Sequence, residues 1–64
     1  MKESRFFIQK IDTSKGYQIL QNDNSYDEFL IDGMWFKSRK LAEKYIEQNL
    51  KDEPVKVLEV WCKI

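Results

Sequence analysis

Two short apolar segments in the first third of the chain predict β-strands rather than a helix. Residues 6–11 read FFIQKI and place apolar side chains on both faces of a strand, and residues 17–21 continue as YQILQ. A period of two residues is the pattern of a β-strand. Residues 12–16 are rich in turn formers, so we expect the two strands to pair as an antiparallel hairpin.

A second hairpin is predicted between residues 26–31 and residues 34–37. Asp32 and Gly33 separate these two apolar runs. Asp-Gly is a favoured pair for the two-residue turn of a hairpin, because both residues tolerate a positive φ angle. We therefore expect the two runs to pair directly with each other.

Residues 39–51 predict one amphipathic helix. Ser38 stands where its hydroxyl can accept an amide hydrogen of the first turn, which makes it the expected N-cap. Residues 52–54 read Asp-Glu-Pro and are expected to end the helix. The side chains expected to face the sheet are Leu41, Ala42, Tyr45, Ile46 and Leu50.

The last strand is predicted over residues 55–64, where two sets of side chains alternate. The set expected in the core is Leu58, Val60, Cys62 and Ile64. The set expected on the opposite face is Val55, Val57 and Trp61. The pattern thus predicts a single α+β domain spanning residues 1–64, with an antiparallel sheet of about five strands and a single helix packed on one face.

Length and composition narrow the class of protein. A chain of 64 residues buries only about 60% of the surface that its unfolded form exposes, so the core is small. No apolar run has the length of a signal-peptide core or a membrane span, so a soluble cytoplasmic protein is expected. Cys62 is the single cysteine, and we expect it to be buried as a small apolar side chain.

Charged side chains are balanced over the whole chain but not along it. The chain has 11 basic and 11 acidic residues. Residues 22–33 carry a net charge of −4, whereas residues 37–51 carry a net charge of +3. Two opposite patches follow if these segments lie apart in space, and mutual neutralisation follows if they lie side by side.

The acidic residues of this first segment are candidate partner-binding residues. They are Asp23, Asp27, Glu28 and Asp32. If they converge in space, their carboxylates form an acidic surface that fits a basic site on another protein. A calcium loop starting at Asp23 would need glycine at its sixth position and a bidentate acid at its twelfth, and those positions hold Glu28 and Met34. We therefore expect no metal site there.

Basic residues cluster where the predicted helix begins. Lys37, Arg39 and Lys40 surround the N-cap. A helix N-terminus offers free amide hydrogens and the positive end of the dipole, so bases there are unfavourable unless an anion or acidic partner is near. We treat these three residues as candidate partner contacts, and the alternative is that they are simply solvated.

Aromatic residues are numerous for so small a core, with two Trp, three Tyr and four Phe. A sheet covered by one helix buries one face only, and neighbours such as Trp35 and Phe36 point to opposite faces. Some aromatic side chains are therefore expected on the uncovered side, unless the sheet curls and buries both faces. The candidates for partner contacts are Tyr26, Trp35 and Trp61.

Residues 36–46, FKSRKLAEKYI, resemble the strand-to-helix end of two small nucleic-acid modules. These are the arm-type DNA-binding domain of tyrosine integrases and the hybrid-binding domain of ribonucleases H. The matching residues are Phe36, Lys37, Ser38, Lys40, Ala42 and Tyr45, while Leu41 stands where those modules often have an acidic residue. The resemblance implies nucleic-acid contacts at Arg5, Lys10, Tyr17, Lys37 and Arg39.

The sequence favours a non-catalytic interaction module over an enzyme. The chain has no histidine and no acid-base pair at the spacing of a site, so no catalytic, cofactor or metal residues are predicted. We expect a small phage or bacterial regulator or inhibitor that binds a protein partner through exposed aromatics and a charged patch, and that forms a homodimer. The alternative is nucleic-acid binding through the sheet with Lys37 and Arg39. A third hypothesis is capture of a nucleotide or small ligand between protomers.

Overall fold

The computed structural model describes residues 2–11, 14 and 16–63, and it shows five strands and a helix within them. The elements are β1 (Lys2–Lys10), β2 (Ile19–Leu20), β3 (Tyr26–Asp27), β4 (Trp35–Phe36), α1 (Arg39–Asn49) and β5 (Val55–Lys63). All strand pairs are antiparallel, and together they form a five-stranded sheet. This confirms the predicted α+β class. Within the described residues, no helix has the length and apolar character needed to cross a membrane.

Strand β1 is the centre of the sheet. β5 pairs with it along its whole length, from Lys2 opposite Lys63 to Lys10 opposite Val55. Because β5 occupies one edge of β1, the strands β2 and β4 must share the other edge. β2 lies beside Gln9 at one end of that edge, and β4 lies further along it.

The predicted first hairpin is confirmed. Gln9 of β1 lies opposite Ile19 of β2, and the amide of Lys10 donates to the carbonyl of Gln18 at 2.9 Å. Of the connecting residues, 12, 13 and 15 lie outside the described part of the chain, as does the Ile64 assigned to the last strand.

The predicted second hairpin is wrong. β3 pairs with β2 rather than with β4, and β4 pairs with β1. The hairpin turn lies earlier, where the amide of Gln21 donates to the carbonyl of Ser25 at 2.8 Å and Asn24 has a φ of 68°. Asparagine is one of the few residues other than glycine that adopt this left-handed conformation readily.

Gly33 serves a close approach instead of a positive φ angle. Its amide donates to the carbonyl of Leu30 at 3.0 Å, which closes a turn that ends at this glycine. A Cβ atom at this position would lie 2.8 Å from Cε2 of Phe7. Only a residue without a side chain lets the backbone pass this close to the Phe7 ring, and the Asp-Gly pair alone does not reveal that constraint.

The predicted N-cap of the helix is confirmed. The hydroxyl of Ser38 accepts a hydrogen bond from the amide of Leu41 at 3.2 Å. At the other end, the amide of Leu50 donates to the carbonyl of Ile46 at 2.8 Å. Leu41 differs from expectation, because its side chain is 50% exposed and not packed on the sheet.

The main core lies between the sheet and α1. Its fully enclosed residues are Ile8, Leu20 and Ala42. The partly buried residues packed around them are Phe6, Tyr26, Met34, Phe36, Tyr45, Ile46, Leu50, Val55 and Val57.

The predicted faces of the last strand are therefore wrong. Val57 lies opposite Ile8, which is buried against the helix, so Val55 and Val57 belong to this core. Leu58, Val60 and Cys62 consequently lie on the other face of the sheet.

The faces of β5 were predicted wrongly because Glu59 stands among the apolar side chains on the helix side. The structure satisfies its carboxylate, because the hydroxyl of Ser4 donates to it at 2.9 Å and the guanidinium of Arg39 lies 3.8 Å away. These partners are distant in sequence, so the pattern of β5 alone gives no sign of them.

We predict that Ile8→Ala destabilises the fold by about 2–5 kcal/mol, because it leaves a cavity in the most enclosed part of the core. A domain of this size has about 3–5 kcal/mol in total, so the variant should be largely unfolded. Urea unfolding followed by circular dichroism measures this. Leu41→Ala, at a half-exposed position, is the control and should cost under about 1 kcal/mol. Equal losses would contradict the assignment of the core.

Gly33→Ala should lower the free energy of unfolding by about 1–3 kcal/mol, because the new methyl group overlaps the Phe7 ring. Asn24→Gly should change it by less than about 1 kcal/mol, because glycine accepts the same φ angle. Both are measured as shifts in the urea midpoint. An unchanged midpoint for Gly33→Ala would show that Phe7 does not lie against this glycine.

Candidate functional site

The side of the sheet opposite α1 has no helix over it in the described part of the chain. Since Ile8 points to the helix, its neighbour Phe7 points away, and the cross-strand partners Trp35 and Leu58 lie on the same side as Phe7. We call this side the second face and define it by Phe7, Ile19, Trp35, Leu58 and Val60.

Residues 28–33 cover the second face only in part. Phe7 and Ile19 are almost completely buried there, with Gly33 against the Phe7 ring. At the edges of this cover, large apolar side chains stay in contact with solvent, including Tyr17 at 68% and Leu30 at 43% exposure. Exposed apolar surface of this kind marks a site of interaction more often than an accident of packing.

An open apolar hollow of about 260 Å³ lies on the second face. Its walls are formed by Tyr17, Ile19, Glu28, Leu30, Leu58 and Val60. Among these described residues only Glu28 is charged. The volume lies just below the roughly 300–1,000 Å³ of small-molecule pockets, so the hollow suits one large side chain better than a drug-sized ligand.

A second, acidic hollow of about 450 Å³ lies at the β2–β3 turn. Its walls are formed by Gln21, Asn22, Asp23, Ser25, Asp27, Phe29 and Asp32. The Gln21 side chain is buried, and its Nε2 donates to the carbonyls of Ile19 and Phe29, each at 2.9 Å. These bonds fix residues that line both hollows.

One short segment, residues 27–30, contributes alternately to the two hollows. Asp27 and Phe29 line the acidic hollow, whereas Glu28 and Leu30 line the apolar hollow. Asp27 is the last residue of β3, and the chain bends at Glu28 and again at Leu30. The two hollows are therefore neighbours that share this segment as their common wall.

Local hydrogen bonds orient two carboxylates of the acidic hollow. The side chain of Ser25 donates to Oδ1 of Asp23 at 2.5 Å and its backbone amide donates to the same atom at 3.0 Å, and these bonds lower the pKa of the Asp23 carboxyl. Oδ1 of Asp27 accepts from the amide of Glu28 at 2.7 Å. Both carboxylates therefore have fixed orientations.

The acidic residues are not neutralised by ion pairs. The ion pairs among the described side chains join Arg5 to Glu3 and Arg39 to Glu59, and neither involves residues 22–33. Three of the four predicted acidic residues, Asp23, Asp27 and Asp32, meet in the acidic hollow. Glu28 lies in the apolar hollow beside them.

The predicted basic residues lie elsewhere. Arg39 is held on the helix side of the sheet, 3.8 Å from Glu59 and with its guanidinium 5.6 Å from the centre of the Phe6 ring. Lys40 lies on the outer surface of α1 with Glu43, Lys44 and Glu47. Lys37 is exposed and lines neither hollow.

The three predicted aromatic contacts fall in three different environments. Trp35 lies on the second face with the guanidinium of Arg5 4.4 Å from its ring centre. Trp61 is 67% exposed and lies opposite Ser4, on the helix side of the sheet. Tyr26 is half-buried in the main core, where desolvation raises the pKa of its phenol.

Sequence reasoning missed the apolar hollow. It assigned Leu58 and Val60 to the core and gave no role to Ile19 or Leu30. One signal pointed to it, because residues 6–11 are apolar on both sides and a single helix covers one side only. That signal does not say which other residues surround the uncovered side.

The two hollows place an apolar surface next to oriented carboxylates. Among the described residues, no group of three His, Cys, Asp or Glu side chains is placed to hold a metal ion. Cys62 is half-buried on the second face, opposite Glu3 of β1.

Known proteins give no further indication of what this site binds. No protein-family model, no curated protein and no solved structure matches the chain. The resemblance of residues 36–46 to integrase and ribonuclease H modules therefore stays a prediction from those residues alone. The function has to be argued from the two hollows and the surface around them.

Proposed function

We propose that the chain is a non-catalytic module that binds a protein partner through the second face. The observation that carries this proposal is the open apolar hollow beside the acidic hollow, with large apolar side chains exposed around them. Apolar and aromatic side chains form the centre of a protein interface, and polar and charged groups surround it at the rim.

The charge distribution supports a protein partner over a nucleic acid. The second face borders carboxylates that would repel phosphate groups. Arg5 and Arg39 each have an acidic neighbour 3.8 Å away. The positive charge that nucleic acid would need is thus partly compensated within the protein.

A role as a small regulator or inhibitor fits these features. A stable protein interface buries about 800 Å² on each partner. The second face and the acidic hollow belong to a domain with a total accessible area of 4980 Å². A domain with such a surface can occupy a functional site on a larger protein without any chemistry of its own.

We predict that Leu30→Asp abolishes partner capture. Leu30 is 43% exposed in the wall of the apolar hollow, so the substitution should leave the fold intact and place a charge where the partner packs. Tagged protein is incubated with nuclease-treated lysate of the producing organism, and bound proteins are quantified by mass spectrometry. Recovery of the partner should fall at least about tenfold, as for loss of a central contact.

The matched control is Leu41→Asp, because Leu41 is 50% exposed but lies on α1, away from both hollows. This variant should capture the partner as well as the unchanged protein does. Equal loss in the two variants, or no captured protein at all, would contradict the proposed function. A parallel capture from untreated lysate is run as well, and a protein captured only from the untreated lysate would favour nucleic-acid binding instead.

A homodimer is a further expectation, placed at the edge of the sheet that β5 leaves open. In the part of the chain that the structure describes, β5 pairs with β1 on one side and with no strand on the other. Open edges of long strands tend to pair with a second copy. Trp61 of this strand is largely exposed and adds apolar area near that edge.

Sedimentation across a hundredfold range of concentration tests this expectation. The mass should double and the melting temperature should rise as concentration increases, because association stabilises the folded state. Trp61→Lys should shift the equilibrium toward the monomer. A monomer at every concentration, with a constant melting temperature, would contradict the homodimer.

A further inference from the structure

The two hollows share a wall and differ in chemistry, so we infer that they form one composite site for a basic, aromatic segment of the partner. An aromatic side chain enters the apolar hollow, and the lysine or arginine next to it enters the acidic hollow. This inference rests on the proposed function and specifies which kind of partner it recognises.

The shape of the apolar hollow favours an aromatic side chain of the partner. Its walls include the flat ring of Tyr17 and the branched side chains of Ile19, Leu58 and Val60. A planar ring fills such a slot with little loss of rotational freedom, which is why aromatic residues dominate the anchors of interfaces. The hollow is open on one side, so the rest of the partner segment lies across the surface.

The charge of the acidic hollow favours a basic side chain of the partner. Asp23, Asp27 and Asp32 line the acidic hollow, and Glu28 carries the charge of the apolar hollow. Hydrogen bonds from Ser25 orient the Asp23 carboxylate, and no described basic side chain pairs with any of the four. A partner that brings its own cationic group meets these carboxylates without having to displace an internal one.

The shared wall indicates how the two groups follow each other. Residues 27–30 contribute side chains to both hollows. Neighbouring hollows require neighbouring side chains of the partner, and side chains one or two positions apart in an extended chain start from Cα atoms about 3–7 Å apart. The aromatic residue and the base should therefore be adjacent or separated by one residue.

Three short peptides test the inference directly. Uniformly ¹⁵N-labelled full-length protein is titrated with acetyl-Lys-Trp-Lys-amide, acetyl-Lys-Ala-Lys-amide and acetyl-Glu-Trp-Glu-amide at physiological salt, and amide shifts are recorded by NMR. The Lys-Trp-Lys peptide should shift the amides of Ile19, Glu28, Leu30 and Val60. Its affinity should exceed those of the other two at least tenfold.

Two double variants distinguish the effect of charge in the acidic hollow from the effect of the protein's net charge. Asp27→Asn with Asp32→Asn removes two charges from the acidic hollow, and Glu43→Gln with Glu47→Gln removes two from the outer surface of α1. The first should weaken Lys-Trp-Lys binding at least fivefold, and the second should change it less than twofold. Equal effects would show that the peptide responds only to net charge, which overturns the composite site.

Other outcomes also decide the matter. Equal binding of the Lys-Trp-Lys and Glu-Trp-Glu peptides, shifts confined to α1, or no shifts at all would overturn the inference. Concentration-dependent shifts of Leu30 and Val60 without peptide would show a second copy in the hollow, and that too overturns the inference.

If Leu30→Asp abolishes partner capture while the peptides show no selectivity, the inference fails and the proposed function stands. Selective peptide binding without a captured partner would support the composite site and contradict the proposed function.

Discussion

Backbone pairing between β1 and β5 decides which side of the sheet every other element meets. The nine residue pairs fix a single register, with Ile8 opposite Val57 and Phe7 opposite Leu58. A shift by one residue would turn each side chain of β5 to the opposite face. The main core under α1 and the second face are therefore two consequences of the same set of hydrogen bonds.

This register also explains why apolar surface stays exposed on the second face. β1 carries large apolar side chains on both sides, and the described part of the chain supplies one helix, which covers Phe6 and Ile8. Residues 28–33 cover Phe7 on the other side but leave the apolar hollow open. Large apolar side chains such as Tyr17 and Leu30 therefore stay in contact with solvent around it.

Features set by neighbours in sequence could be predicted, and features set by distant contacts could not. The Ser38 cap and the β1–β2 hairpin follow from residues a few positions apart. The role of Gly33 depends on Phe7, and the accommodation of Glu59 depends on Ser4. For the same reason the sequence revealed a cluster of acidic residues but not the apolar hollow beside it, whose walls come from three separate parts of the chain.

An engineered disulfide tests the β1–β5 register most directly. Glu3 lies opposite Cys62 on the second face, so Glu3→Cys should form an intramolecular disulfide with Cys62 after mild oxidation of dilute protein, detected by mass spectrometry. Ser4→Cys is the control, because position 4 lies opposite Trp61 and faces the helix side. The account predicts closure for Glu3→Cys and none for Ser4→Cys. Closure in Ser4→Cys but not in Glu3→Cys would contradict the register and, with it, the identity of the second face.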